Sequence, residues 1–132
     1  MRLAIDGASK GNPGPAGAGV VIMDGDGQIL EEIAKPLGIA TNNVAEYQAL
    51  ILGLEEAKKR GACHITVQTD SQLLARQVEG RYKISAPHLR ELHSQVRALI
   101  ELFKSVEITH TLREGNTQAD ALANQGARAN RL

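Results

Sequence analysis

Four acidic residues stand where a carboxylate is costly. Asp6 interrupts the apolar stretch from Leu3 to Ala8, and Asp70 closes the alternating run Ile65-Thr66-Val67-Gln68-Thr69. Glu46 shares a helical face with Ala49, Leu50, Gly53 and Ala57, and Asp120 lies between Ala119 and Ala121. Other acidic residues, such as Glu31, Glu32, Glu55, Glu56 and Glu101, fall where solvent is expected. A carboxylate withdrawn from water needs a partner, and these four stretches offer no Lys or Arg in register. Brought together, the four would repel unless a cation neutralised them. An all-oxygen donor set without Cys or a His pair points to Mg²⁺ or Mn²⁺ rather than zinc. Three of the four also have plainer readings. Asp70 suits a cap for a helix beginning at Ser71. Thr117-x-x-Asp120 resembles a capping box with Asp in place of Glu, and Glu46 could reach the surface along its own stem. A strand interior offers Asp6 nothing comparable.

The glycines near Asp6 are a weaker signal. Gly7, Gly11 and Gly14 match neither the dinucleotide fingerprint nor a phosphate loop. As structure they form a wide turn between strands; as function they let backbone N–H groups and Asn12 approach a phosphate or sugar.

The elements that must position these residues follow from periodicity. Leu3–Ala8 reads as a first strand, followed by the loop Gly11-Asn12-Pro13-Gly14-Pro15. Gly19–Met23 is apolar on both faces and so central, Asp24-Gly25-Asp26-Gly27 is a hairpin turn, and Gln28–Leu37 is a more exposed return strand. After Gly38 the period changes to 3.6. Thr41-Asn42-Asn43 offers capping side chains, Val44, Tyr47, Ile51 and Leu54 form a stripe, and Lys58-Lys59-Arg60-Gly61 closes the helix. Ile65, Val67 and Thr69 alternate as a fourth strand, and Ser71–Glu79 reads as a short helix. Pro87 opens a longer helix with Leu89, Leu92, Val96, Leu99 and Phe103 on one face. Val106, Ile108, His110 and Leu112 alternate as a fifth strand, which turns the His110 side chain toward the core. Thr117–Arg128 is an Ala-rich final helix. The economical architecture is α/β, with five strands in a mixed sheet and helices on both faces.

Composition bounds the rest. The chain has 132 residues, 42% hydrophobic and 23% charged, which fits one globular domain over 1–132 and excludes a disordered or collagen-like chain. No apolar run approaches the roughly 20 residues of a membrane helix, so no membrane partner is expected. The single Cys63 allows neither an internal disulfide nor a Cys-rich zinc site and fits a cytoplasmic setting. With three aromatic residues, Tyr47, Tyr82 and Phe103, the core must be aliphatic. Fifteen basic residues balance fifteen acidic ones, so any nucleic-acid binding must come from local patches.

Asp6-Gly7-Ala8-Ser9-Lys10-Gly11-Asn12-Pro13-Gly14-Pro15, Thr41-Asn42-Asn43-Val44-Ala45-Glu46, Thr69-Asp70-Ser71 and Asn116-Thr117-Gln118-Ala119-Asp120-Ala121-Leu122-Ala123 resemble the signatures of type 1 ribonuclease H, in order and spacing. The resemblance spans nearly the whole chain. It implies the ribonuclease H-like fold, with the second strand antiparallel to the others. It also implies an endonuclease that hydrolyses the RNA strand of an RNA–DNA hybrid and leaves 5′-phosphate and 3′-hydroxyl ends. By position, Asp6, Glu46, Asp70 and Asp120 match the family's metal-binding catalytic carboxylates. The resemblance implies two Mg²⁺ ions, with Mn²⁺ possible. Asp6 would bridge them, Glu46 and Asp70 would serve the leaving-group side, and Asp120 the nucleophile side. Asn12, Asn42, Asn43 and Gln72 match contacts to the hybrid's minor groove and RNA sugars, and Thr41 falls near a pocket for a DNA phosphate.

The chain departs from the family pattern in three ways. The basic, Trp-containing excursion of many members is reduced to Arg81-Tyr82-Lys83-Ile84-Ser85-Ala86-Pro87, leaving Arg76, Arg81, Lys83 and Arg90 as a local basic edge. Arg113 takes the aligned place of the family's His before the last carboxylate, where it would act electrostatically on a phosphate. No hybrid-binding module is expected in front of the catalytic domain, and a monomer is expected. The alternative function is a non-catalytic or differently specific nucleic-acid-binding protein on the same fold. It would be marked by a missing carboxylate or only part of the motif set.

Overall fold

Side-chain parity along the first strand decides the layering. In the computed structural model, which describes residues 1–80 and 83–130, β1 (Arg2–Ser9) turns Leu3 and Ile5 to one face of the sheet. It turns Ala4 to the other. β2 (Gly14–Met23) runs antiparallel beside it, with Asp6 opposite Gly19, and β3 (Ile29–Ala40) runs antiparallel to β2. On the other side of β1, β4 (His64–Thr69) and then β5 (Ser105–His110) pair in parallel. The order is β3-β2-β1-β4-β5, and β2 alone opposes the common direction.

α1 (Asn42–Lys59), α2 (Gln72–Val78) and α3 (Pro87–Ile100) contribute to one core with Leu3, Ile5, Val20, Ile22, Ile65 and Val67. Each such fully buried aliphatic side chain contributes about 1.5–3 kcal/mol. The opposite face is built for close approach rather than bulk. There α4 (Thr117–Arg128) sets Ala119 against Ala4 and Val21. The expected mixed five-stranded α/β sheet with helices on both faces is therefore the observed architecture. No helix among the described residues is long and apolar enough to cross a membrane.

Several boundaries differ from the periodic reading. β2 starts at Gly14, not Gly19, because Ala16 and Ala18 are fully buried between β1 and β3 despite their weak strand preference. α3 stops at Ile100, and Phe103 reaches the core from the turn beyond it. β5 stops at His110, so Leu112 is 70% exposed rather than a core residue. His110 is likewise exposed, contrary to the alternation argument. β5 is the edge of the sheet, and only Val106 and Ile108 of the alternating set pack against the core.

Candidate active site

Two glycines bring distant carboxylates together. A Cβ on Gly7 would lie 2.4 Å from both Ala45 C and Glu46 N, so its absence lets the start of α1 press on β1 and sets Glu46 beside Asp6. A Cβ on Gly19 would lie 2.3 Å from the Ala119 carbonyl oxygen. Since Gly19 pairs with Asp6 across the sheet, the close seating of α4 delivers Asp120 to the same place. Asp70 arrives from the end of β4, the strand parallel to β1.

The result is a cleft of about 390 Å³ lined by Asp6, Glu46, Asp70, Asp120, Asn42 and Arg113, together with Gly7, Ala8, Ser9 and Asn124. All four carboxylates isolated from the sequence face it. Asp6 is 5% exposed, and its carboxyl is pushed up to about 8 by burial first, then by the charge of Asp70 and by hydrogen bonding and charge from Asp120. The Gly7 N–H, 3.0 Å from Asp6 Oδ1, opposes that rise only in part. Burial raises Glu46 to about 7, the Asp70 charge adds to the rise, and a hydrogen bond from Ser71 works against it. Excess negative charge thus converges on Asp6, while Arg113 is the single cation among the lining residues.

This donor set fits a hard divalent cation. It is carboxylate oxygen with no His or Cys lining the cleft, and burial and acidic neighbours raise Asp6 and Glu46. Among the described residues, no three acidic, His or Cys side chains are gathered tightly enough to enclose an ion. The carboxylates frame the cleft from four separate elements without closing on a point. Asp70 is not the cap of α2: Ser71 is, its Oγ accepting from Leu74 N at 3.1 Å. Thr117 and Asp120 form no capping box, for α4 already begins at Thr117, with Asn116 before it and no side-chain cap hydrogen bond.

A second cleft, about 300 Å³, is lined by Asn12, Thr41, Asn42 and Asn43 with His88 and Leu89 of α3. Asn42 belongs to both clefts. Part of the asparagine chemistry here is structural. Asn12 Oδ1 accepts from Asn42 N at 3.1 Å, and Asn42 Oδ1 accepts from Ser9 N at 2.9 Å, tying the β1–β2 loop to the start of α1. Thr41 caps α1 through its Oγ1, 3.2 Å from Val44 N. The amide N–H groups of Asn12 and Asn42 are the parts left to meet a ligand. Gln72, exposed at the first position of α2, lines neither cleft.

Arg113 sits on a short 3₁₀ turn, Arg113–Gly115, between β5 and α4, and reaches the carboxylate cleft; His110 does not line it. The basic edge is partly committed elsewhere. Arg76 faces Glu79 at 3.8 Å and Arg90 donates to the Ser85 carbonyl at 2.9 Å. Lys83 is exposed, and Arg81 lies outside the described residues. Four residues missed by the sequence reading also take part: Ser9, Ser71, His88 and Asn124. Asn124 was findable, because it stands one helical turn beyond Asp120 on the same face.

Residues 4–126 match the family described as Reverse transcriptase-like. The chain is 47% identical over 125 residues to ribonuclease HI of Halobacterium salinarum, covering 95% of this chain and 63% of that protein. It is 45% identical over 127 residues to a bifunctional protein of Mycobacterium tuberculosis, of which it spans only 35%. The crystal structure of RNase H1 from Halobacterium salinarum NRC-1 superposes with a TM-score of 0.94 at 43% identity, covering 98% of each chain. LC11-RNase H1, solved in complex with an RNA/DNA hybrid, gives 0.91 at 38% identity over 96% of each chain. At such identity along nearly the full length of the solved chains, the likeness extends well beyond shared architecture, and this chain, which spans less than two thirds of each of these two curated relatives, belongs to the type 1 ribonuclease H family.

Proposed function

We propose that the chain hydrolyses the RNA strand of RNA–DNA hybrids at the Asp6–Glu46–Asp70–Asp120 cleft, leaving 5′-phosphate and 3′-hydroxyl ends. The observation that carries this reading is the uncompensated charge of the cleft, with Asp6 buried among acidic neighbours and raised to about 8. Asp6, Glu46, Asp70 and Asp120 would hold two Mg²⁺ ions, or Mn²⁺ in their place. When bound, such ions activate a water and stabilise the departing oxygen of a phosphodiester. The protein's own groups then have separable tasks. Arg113, always protonated, offers a fork of donors to phosphate oxygens and cannot carry a proton. Asn12 and Asn42 line the adjoining cleft with amide N–H groups that can donate to a 2′-hydroxyl, and Asn43 adds an amide that can both donate and accept. Thr41 shares that cleft, where a phosphate of the DNA strand would lie. The hybrid held by LC11-RNase H1 supports this choice of substrate. Both cores pack on one sheet, which supports reading residues 1–132 as one catalytic domain.

The test uses end-labelled hybrid, RNA duplex, DNA duplex and single strands, each with Mg²⁺, Mn²⁺ or chelator. Cleavage of the hybrid's RNA strand, dependent on metal and leaving 3′-hydroxyl ends, is expected. Undiminished cleavage in chelator, or preferential cutting of DNA duplex, would overturn the proposal.

A further inference from the structure

Asp120 differs from Asp6 in how it is held. Asp6 is fixed by its strand and by the Gly7 N–H, whereas Asp120 projects from the first turn of α4. Besides its hydrogen bond with Asp6, it is steadied by a chain of side chains crossing the rim of the cleft. Asn124 Nδ2 donates to the Asp120 backbone oxygen at 2.9 Å and to Asp120 Oδ1 at 3.3 Å. Asn124 Oδ1 in turn accepts from Lys10 Nζ, which comes from the β1–β2 loop, 114 residues away in sequence. That loop is itself pinned, since Lys10 N donates to the Pro15 carbonyl at 2.8 Å.

We propose that Lys10 and Asn124 are positioning residues that orient the Asp120 carboxylate for metal binding. The inference rests on the reading of Asp120 as a metal ligand. An ammonium can only donate and a carboxylate can only accept, so the amide between them has one workable orientation, oxygen to Lys10 and nitrogen to Asp120. Lys10 therefore sets the flip of Asn124, and Asn124 sets the carboxylate. The amide spacer matters for charge as well. A lysine in direct contact with Asp120 would compete with a divalent cation for its oxygens. One amide further out, it polarises the hydrogen bond without occupying a ligand position. Such outer partners of metal ligands typically change metal affinity by about 10–100-fold when removed.

The experiment is Mn²⁺ binding by titration calorimetry on the full chain without nucleic acid, alongside urea melts in chelator. Asn124→Ala should weaken Mn²⁺ binding by at least about tenfold. Lys10→Met should weaken it less, Lys10→Arg should restore it, and Lys10→Met should add nothing further in the Asn124→Ala background. The metal-free urea midpoint should be unchanged in each variant within measurement error, since Lys10 is exposed and Asn124 only half-buried. Mn²⁺ affinity within twofold of the parent in Asn124→Ala, or losses that multiply in the double variant, would overturn the proposal. If Asn124→Ala fails to fold, the exposed Lys10→Met and Lys10→Arg pair carries the same test, with equal affinities counting against it. Asp120→Asn separates the two levels. If it retains parental Mn²⁺ affinity, the reading of Asp120 as a ligand fails; if it loses affinity while Asn124→Ala does not, only the positioning role fails.

Discussion

Replacing Asp6 by Asn should stabilise the metal-free protein, although it removes the most buried residue of the site. Asp6 has an ordinary value of 3.8 and is raised to about 8 in the fold, so the folded chain binds its proton more tightly than the unfolded chain does. Stability from this group is therefore complete below 3.8 and lost as pH rises toward about 8. Near pH 7 the loss spans about three pH units at about 1.4 kcal/mol per unit, an upper figure of about 4 kcal/mol. Asn has nearly the same shape and cannot ionise; its oxygen can still accept from Gly7 N, and its amide can donate to Asp120. Urea denaturation in chelator should find Asp6→Asn more stable by about 2–4 kcal/mol near neutral pH, with the gap closing toward about pH 4. Mg²⁺ at 100 times Kd should narrow the gap by about 2.7 kcal/mol, because it stabilises the parent while the variant has lost one of the carboxylates proposed to hold the ion. A variant less stable than the parent near neutral pH without metal, or a gap that ignores pH, would refute the account of the site as mutually repelling carboxylates.

Other consequences are equally direct. Gly19→Ala would place a Cβ 2.3 Å from the Ala119 oxygen and 2.5 Å from Ala123 N, so α4 must move; a loss of about 1–3 kcal/mol in urea melts is expected, together with weaker Mn²⁺ binding. Arg113→Ala should slow hybrid cleavage about tenfold, or about 1.4 kcal/mol, whereas exposed His110→Ala should change neither turnover nor stability appreciably. The pH–rate profile should show no limb that vanishes in His110→Ala; one that did would return the role to the histidine. Asn43→Ala should cost about 1–3 kcal/mol in kcat/KM on hybrid and narrow the preference over DNA duplex, and an unchanged preference would leave Asn43 a structural residue only.

Most elements and the four candidate carboxylates were legible in local pattern. Period two around Leu3 and Ile5, period 3.6 from Val44 to Leu54, and the turn at Asp24–Gly27 correspond to β1, α1 and the β2–β3 hairpin. Four carboxylates in apolar company stood out because burying an unpaired charge is costly wherever it occurs. Local pattern could not decide which alternating residues find something to pack against. His110 and Leu112 alternate correctly, yet they lie at and beyond the end of the edge strand β5 and remain exposed. Nor could it assign the caps, because Ser71 and Asp70 are adjacent and both chemically suited; only the fold turns one to α2 and the other to the cleft. The Lys10–Asn124–Asp120 chain was invisible for the same reason. Its ends are 110 residues apart, and they meet only because β2, between β1 and β3, is thin enough at Gly19 for α4 to lie against its backbone.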